Sequence, residues 1–402
     1  MTRLKLKGVN DAMSNFRWSN PVTVYFGPEE FKELGKVVAS YGKRCLLVYG
    51  GGSIRRTGLY DKVMDLLSEE GITVFEKGGV EPNPKIQHIR EACEICKENG
   101  IEVLLAVGGG SVIDATKCIA AGACVDFDPW DFVAKRIMPQ KALPIVDVLT
   151  AAATGSEMDS GGIISNPETN DKEGVGGPLL YPKASFLNPE LTFTVPKAQT
   201  AAGSFDILSH IWEGWFTTEP PMTMLDEVQK VVIRTVIKYA PIAMEEPDNL
   251  EARENLMWAS SWAMNGFMSS GFGKSWPTNH PIEHQLSAFY DITHGVGLAI
   301  LTPRWLRYCL SEETVSRYVT FGTDIWGIDP DQDPFDIANQ AIEKTEEFCF
   351  KTLGIPSTLT ELGIGEEHFQ EMAEKACQPF GVINGFRRLE PKDVVEILKM
   401  CL

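Results

Sequence analysis

Short apolar runs alternate with helical patterns through the first half of the chain. Residues 22–26 (VTVYF), 45–49 (CLLVY), 72–75, 103–107 (VLLAV) and 143–149 read as strands. Between them, residues 29–40, 57–70, 85–99 and 111–124 carry apolar side chains at helical spacing. The strands are continuously apolar rather than alternating, which predicts a parallel sheet covered on both faces. Residues 167–178 are polar and glycine-rich and predict a loop or hairpin. Residues 188–196 hold two prolines and predict the crossing between domains. Beyond Pro196 the strand pattern almost vanishes. Helices are predicted over 197–215, 223–239, 250–270, 282–289, 297–308, 313–323, 334–353, 367–375 and 391–400. The expectation is therefore an α/β domain over residues 1–196 followed by an all-α domain over 197–402.

Length agrees with two domains, because one core rarely grows past about 250–300 residues and the chain has 402. The net charge of −18 argues against nucleic acid, whose phosphates need clustered Lys and Arg. No apolar run approaches the ~18–20 residues of a membrane helix, and the polar start shows no secretory leader. Nine scattered cysteines, an odd number, favour reduced thiols and a cytoplasmic protein. Cys93 and Cys96 form a C-x-x-C, but inside a helical pattern and without a second pair.

Two glycine clusters change the picture. The strand over 103–107 runs into Gly108, Gly109, Gly110 and Ser111, and then into a helix with Asp114 in its first turns. Such a turn lets backbone N–H groups approach a pyrophosphate, and the helix dipole adds to the attraction. The earlier strand ends in Gly50, Gly51, Gly52 and Ser53, followed by Arg55 and Arg56. The acidic residue that grips an adenosine ribose is absent there, which leaves room for a 2′-phosphate and points to NADP(H) over NAD(H).

Histidine adds a second chemistry. Four of the six histidines fall between positions 210 and 294. Asp206 and His210 are spaced i, i+4, as are His280 and His284, and His294 follows just before Gly295. Imidazole and carboxylate donors suit Fe²⁺ or Zn²⁺. Spacing alone leaves open whether His280 or His284 is the ligand. A divalent ion with an open position polarises a carbonyl oxygen and stabilises a developing alkoxide, so metal and glycine turns together suggest a metal-assisted redox reaction.

On these residues the chain resembles the iron-containing (group III) alcohol dehydrogenases, in the branch of NADPH-dependent butanol dehydrogenases and aldehyde reductases. The stretches that carry the resemblance are GGGSVID from Gly108, TGSEM from Thr154, NPELT from Asn188, HPIEHQLSA from His280 and THG from Thr293. The resemblance implies a Rossmann-like N-terminal domain, a helical C-terminal domain of dehydroquinate synthase-like architecture, and a cleft between them. It implies Asp206, His210, His280 and His294 as metal ligands, with His284 nearer the nicotinamide as a proton-relay group. It assigns Gly108, Gly109, Gly110 and Ser111 to the pyrophosphate with Asp114 in support. Thr150, Thr154 and Ser156 look like the cofactor-contacting loop, Lys172 like a lysine near the cofactor ribose, and Gly50–Ser53 like the adenosine pocket.

Three departures stand out. Asp159 replaces an amide expected near nicotinamide and substrate, Asn188 replaces the acid of a D-P-x-L-T turn, and the first dozen residues lie outside the motif region. Phe267, Phe272 and Trp276 are candidates for lining an apolar substrate pocket, though ordinary core is the commoner role for such aromatics, and Trp258 and Trp262 read as packing. The implied reaction passes a hydride between NAD(P)H and a small aliphatic aldehyde such as butyraldehyde, or its alcohol. The rivals are a zinc polyol (glycerol-type) dehydrogenase and a dehydroquinate-synthase-like lyase. The lyase would need several basic residues for a polyanionic substrate, and residues 280–287 contain no Lys or Arg. An edge strand near 22–26 suggests a homodimer.

Overall fold

The computed structural model describes residues 16–216, 223–270 and 278–402. Its first half is a six-stranded parallel sheet. The strands are β1 (Thr23–Phe26), β2 (Arg44–Tyr49), β3 (Thr73–Lys77), β4 (Val103–Gly108), β5 (Ile145–Leu149) and β8 (Ala184–Leu187), in the order β1-β8-β5-β4-β2-β3. Helices α1 (Leu34–Tyr41), α2 (Ser53–Arg56), α3 (Leu59–Glu69), α4 (Ile86–Asn99), α5 (Gly110–Gly122) and α6 (Asp131–Ala134) join the strands. A hairpin of β6 (Gly161–Asn166) and β7 (Asp171–Gly176) stands apart from the sheet.

Successive side chains of a strand point to opposite faces, and here both faces are apolar. Leu46, Val48, Leu104 and Ala106 pack with Ile89 and Ile113 on one side. Cys45, Leu47, Val103 and Leu105 pack with Leu34, Val38 and Val63 on the other. This is why the central strands read as unbroken apolar runs. Strand β8 escaped the sequence pattern, although it lies between β1 and β5. It has only four residues, all buried, with a serine among them. The Ser185 hydroxyl donates to Asp147 Oδ2 on β5 at 2.7 Å and to the Glu157 carbonyl at 2.8 Å, so this polar position lies inside the core.

The second half consists of α7 (Lys197–Trp215), α8 (Thr223–Glu245), α9 (Leu250–Met264), α10 (Asn279–Tyr290), α11 (His294–Cys309), α12 (Val315–Trp326), α13 (Pro334–Glu346), α14 (Phe369–Ala376) and α15 (Pro391–Met400). They enclose one apolar core around Trp212, Trp215 and Trp305. Three details correct the sequence reading. A short antiparallel pair, β9 (Ile383–Asn384) and β10 (Arg388–Leu389), interrupts the helices. The helix expected over 250–270 stops at Met264, and Gly266 beyond it takes a left-handed φ of 80°. The helix expected over 57–70 begins only at Leu59, because Gly58 before it takes a φ of 75° that cannot belong to a helix. Among the described residues no helix is long and apolar enough to cross a membrane. All nine cysteines are free, and Cys93 and Cys96 are buried on α4.

Candidate active site

A cavity of about 690 Å³ opens where the C-terminal ends of the sheet meet α7, α9, α10 and α11. Of the residues singled out from sequence, Ser111, Asp114, Thr154, Ser156, Asp159, Lys172, Asp206, His210, His280, His284 and His294 line it. Gly50, Gly51, Gly52, Ser53, Gly108, Gly109, Gly110 and Thr150 do not. Gly108–Gly110 sit immediately behind Ser111, and Thr150 N–H donates to the Gly108 carbonyl at 2.9 Å.

The α/β wall combines an open helix end with a buried side-chain network. Helix α5 starts at Gly110 with no side chain capping its end, so its first N–H groups point outward unsatisfied by the helix. Gly110 is required by close approach. A Cβ there would lie 2.2 Å from Thr154 Oγ1. The loop after β5 is then locked from below. Lys117, fully buried on α5, donates to the Ser156 carbonyl (2.6 Å), Ser156 Oγ (2.9 Å), the Gly161 carbonyl (2.8 Å) and the Asp159 carboxylate. Ser156 Oγ in turn donates to Asp114 Oδ1 at 2.6 Å, and Asp114 Oδ2 accepts from Ile163 N at 3.1 Å. Asp159 is thus the counter-ion of a buried lysine. Burial pushes the Asp114 carboxyl up to about 6, against the pull of Lys117. Sequence reasoning missed Lys117, whose only signal was a charge inside an otherwise apolar helix.

At the far end of the sheet the adenosine-side expectation meets a complication. Arg55 donates to Glu76 Oε2 at 2.7 Å and Tyr49 Oη at 2.9 Å, and its guanidinium stacks 3.6 Å from the Tyr60 ring centroid. One of the two arginines expected to meet a 2′-phosphate is therefore already engaged.

The helical wall is built from side chains. Asp206, His210 and Glu213 fall at i, i+4 and i+7 on α7, one face of the helix. His280, Glu283 and His284 come from α10, and His294 opens α11. The Nε2 atoms of His210, His280 and His294 lie 3.7, 3.8 and 3.7 Å from one oxygen, Asp206 Oδ1. That is too long for hydrogen bonds. It is close to the roughly 3.3–3.6 Å between neighbouring ligands of a tetrahedral ion bound at ~2.0–2.2 Å. Asp206 Oδ1 and His280 Nε2 are buried and have no hydrogen-bond partner among the described residues. His284 does not share this oxygen; it groups with Glu283 and His294.

Two carboxylates that the sequence reading missed stand behind the histidines. Glu213 Oε1 accepts from His280 Nδ1 at 3.0 Å and from its backbone N–H at 2.9 Å. Glu283 Oε2 contacts His294 Nδ1, and its other oxygen accepts from Ser287 Oγ. Lys172 Nζ, buried on β7, is 3.6 Å from Glu283 Oε2. With the histidines neutral, as metal ligands must be, Asp206, Glu213 and Glu283 set against Lys172 leave two negative charges, which a divalent cation would neutralise. Burial works against a charged His280, but Glu213 and Asp206 outweigh it and push its pKa up to about 10. Burial lowers His210 to about 4, against the opposing pull of Asp206. The donor set, its orphaned atoms and its charge all fit a divalent metal.

The apolar part of the cavity is lined by Ala263, Met264 and Met268. Phe267, a candidate for it, instead packs edge-on against Trp18 and Trp262, with ring centroids 5.5 and 5.8 Å apart. Trp258 and Trp262 pack on each other at 6.1 Å, as expected. Phe272 and Trp276 lie outside the described residues.

Comparison with known proteins points the same way. Residues 21–189 match the family model of iron-containing alcohol dehydrogenase, and residues 200–402 match that of the Fe-containing alcohol dehydrogenase family, C-terminal. The chain is 49% identical over 388 residues to NADH-dependent butanol dehydrogenase A of Clostridium acetobutylicum, covering 96% of this chain and 99% of that protein. It is 34% identical over 369 residues to the NADPH-dependent aldehyde reductase YqhD of Escherichia coli, covering 90% and 93%. Its fold superimposes on the crystal structure of NADH-dependent butanol dehydrogenase A from Thermotoga maritima with a TM-score of 0.92 and 38% identity, covering 97% of this chain and 99% of that one.

Proposed function

Since this chain belongs to the iron-containing alcohol dehydrogenase family, an oxidoreductase acting on the CH–OH group of small aliphatic alcohols and the matching aldehydes, we propose how the two walls of its cleft divide that work. When bound, the nicotinamide supplies or accepts the hydride and the divalent metal supplies a Lewis acid for the carbonyl oxygen. Asp206, His210, His280 and His294 hold the ion. The observation that carries this is the set of three Nε2 atoms gathered 3.7–3.8 Å from Asp206 Oδ1. Gly108–Ser111 offer the open N-terminus of α5 to the pyrophosphate, and Thr150, Thr154 and Ser156 shape the loop beside it.

Asp114 and Asp159 act through that loop rather than on the ligand. Each carboxylate is already committed, to Ser156 and Ile163 or to Lys117. Lys172 faces the ribose side. Burial and Lys172 hold the His284 imidazole well below its ordinary range, so it lines the cleft neutral, able to pass a proton at a ring nitrogen. Ala263, Met264 and Met268 receive a short alkyl chain and exclude water from it.

The bare Gly50–Ser53 turn supports NADP(H), as read from the sequence. The Arg55–Glu76 pair favours NAD(H), because Glu76 already occupies the guanidinium that a 2′-phosphate would need. We take NAD(H) as the preferred dinucleotide, a homodimer as the assembly, the cytoplasm as the location and residue 196 as the end of the first domain. The test adds single divalent metals to metal-free protein and follows NADH and NADPH consumption with butyraldehyde. Metal-dependent turnover with a higher kcat/KM for NADH is expected. A higher kcat/KM for NADPH would restore the 2′-phosphate reading, and turnover without metal would remove the ion from the account.

A further inference from the structure

The metal ligands are not equally supported, and the inequality follows the order of the helices. Glu213 stands on α7 and touches His280 on α10. Glu283 stands on α10 and touches His294 at the start of α11. Each helix thus carries a carboxylate for the histidine of the next. We propose that Glu213 and Glu283 are positioning residues that hold His280 and His294 with the proton on Nδ1, leaving Nε2 free for the ion, and that they set how tightly the protein retains its metal. This rests on the reading of Asp206, His210, His280 and His294 as ligands.

Three observations carry it. In both pairs the carboxylate meets Nδ1 while Nε2 of the same ring faces Asp206 Oδ1. A ring nitrogen that donates to a carboxylate fixes both the tautomer and the orientation of the imidazole and raises its basicity as a ligand. Second, both carboxylates are themselves held. Glu213 Oε1 also takes the His280 backbone N–H at 2.9 Å, in the first turn of α10, where the helix dipole favours an anion. Glu283 is fully buried between Ser287 Oγ and Lys172 Nζ. Third, His210 has no such support: its Nδ1 is buried and has no hydrogen-bond partner among the described residues. His210 instead stacks on His280, with ring centroids 4.6 Å apart, so the brace on His280 steadies it indirectly.

The two braces differ in weight. Removing Glu213 costs an acceptor. Removing Glu283 also strips Lys172 of its buried counter-ion and leaves an ammonium facing the ligand cluster. Glu283 should therefore matter more.

The experiment measures Zn²⁺ affinity by competition with a chromophoric chelator for the full chain and for Glu213→Ala, Glu213→Gln, Glu283→Ala, Glu283→Gln and His280→Ala, with dinucleotide affinity measured in parallel. We expect about 10-fold weaker Zn²⁺ binding for Glu213→Ala and about 100-fold for Glu283→Ala, the range typical of such partners. Each glutamine variant should recover part of the loss, because its amide oxygen still accepts from Nδ1–H, and dinucleotide affinity should stay within a few-fold in the Glu213 variants, which leave Lys172 untouched. The near-isosteric glutamine variants carry the test if the alanine variants do not fold. Unchanged Zn²⁺ affinity in all four glutamate variants, with loss in His280→Ala, would overturn the braces and leave the ligand set standing. Retention of Zn²⁺ by His280→Ala would overturn the ligand set itself.

Discussion

The two walls of the cleft solve opposite problems. The α/β wall offers the cleft the uncapped N-terminus of α5, and its tightest position is one where a side chain is missing, Gly110. The helical wall meets its ligand with side chains, each aimed by a second side chain behind it. A backbone wall tolerates no additions and a side-chain wall tolerates no deletions. The walls are joined at Glu157, which lies in the loop after β5 and whose Oε1 accepts from Ser261 Oγ on α9.

The largest effect should come from a deletion in the helical wall. His280→Ala should lose the metal and at least about 10³-fold in kcat/KM, since a Lewis acid contributes several kcal/mol to such a step. Dinucleotide affinity, a property of the other wall, should stay within a few-fold. Metal analysis and dinucleotide titration on one preparation separate the two; a parallel loss of dinucleotide binding would mean that the walls are not independent.

A smaller effect sits at the joint. Burial raises the Glu157 carboxyl to about 7 from 4.5. Between those values the folded protein holds a proton that the unfolded chain releases, so stability falls as pH rises through this window. Above pH 7 the full penalty of about 3 kcal/mol applies. Glu157→Gln keeps an acceptor for Ser261 and removes the titration. Its melting temperature relative to the parent should therefore climb between pH 5 and pH 8, and a difference that stays flat would rule out a raised Glu157.

The smallest effect should come from an addition to the α/β wall. Gly110→Ala forces a Cβ to within 2.2 Å of Thr154 Oγ1 unless the loop shifts. Overpacking of this kind costs about 1–3 kcal/mol, which corresponds to roughly 5- to 150-fold in dinucleotide affinity if the loop moves away. Metal content should be unchanged, the mirror image of His280→Ala.

The same contrast explains what could be read in the sequence. The sheet and most helices were legible because their apolar periods are long and regular. Asp206, His210, His280 and His294 were legible as candidates because histidine is rare in this chain and the i, i+4 spacings are explicit. Glu213 and Glu283 were not, although Glu213 completes an i, i+4, i+7 face with Asp206 and His210. Glutamate on a helix ordinarily belongs to a solvated surface, and only the fold shows these two to be buried. Asp159 drew attention because it stands where an amide is expected; it does line the cavity, but its ion pair with Lys117, 42 positions away, was not visible in the sequence. Phe267 was a candidate for the pocket because it neighbours the metal segment, whereas the early end of α9 turns it toward Trp18.

With a divalent ion held by Asp206, His210, His280 and His294 and a dinucleotide on the α/β wall, hydride would pass directly between nicotinamide and carbonyl carbon. The most direct test of this transfer follows deuterium from NADH labelled at C4 into the product of butyraldehyde reduction. One deuterium is expected at C1 of butanol, none in the solvent, and no transfer by metal-free protein. Label released to water, or transfer undiminished without metal, would contradict it.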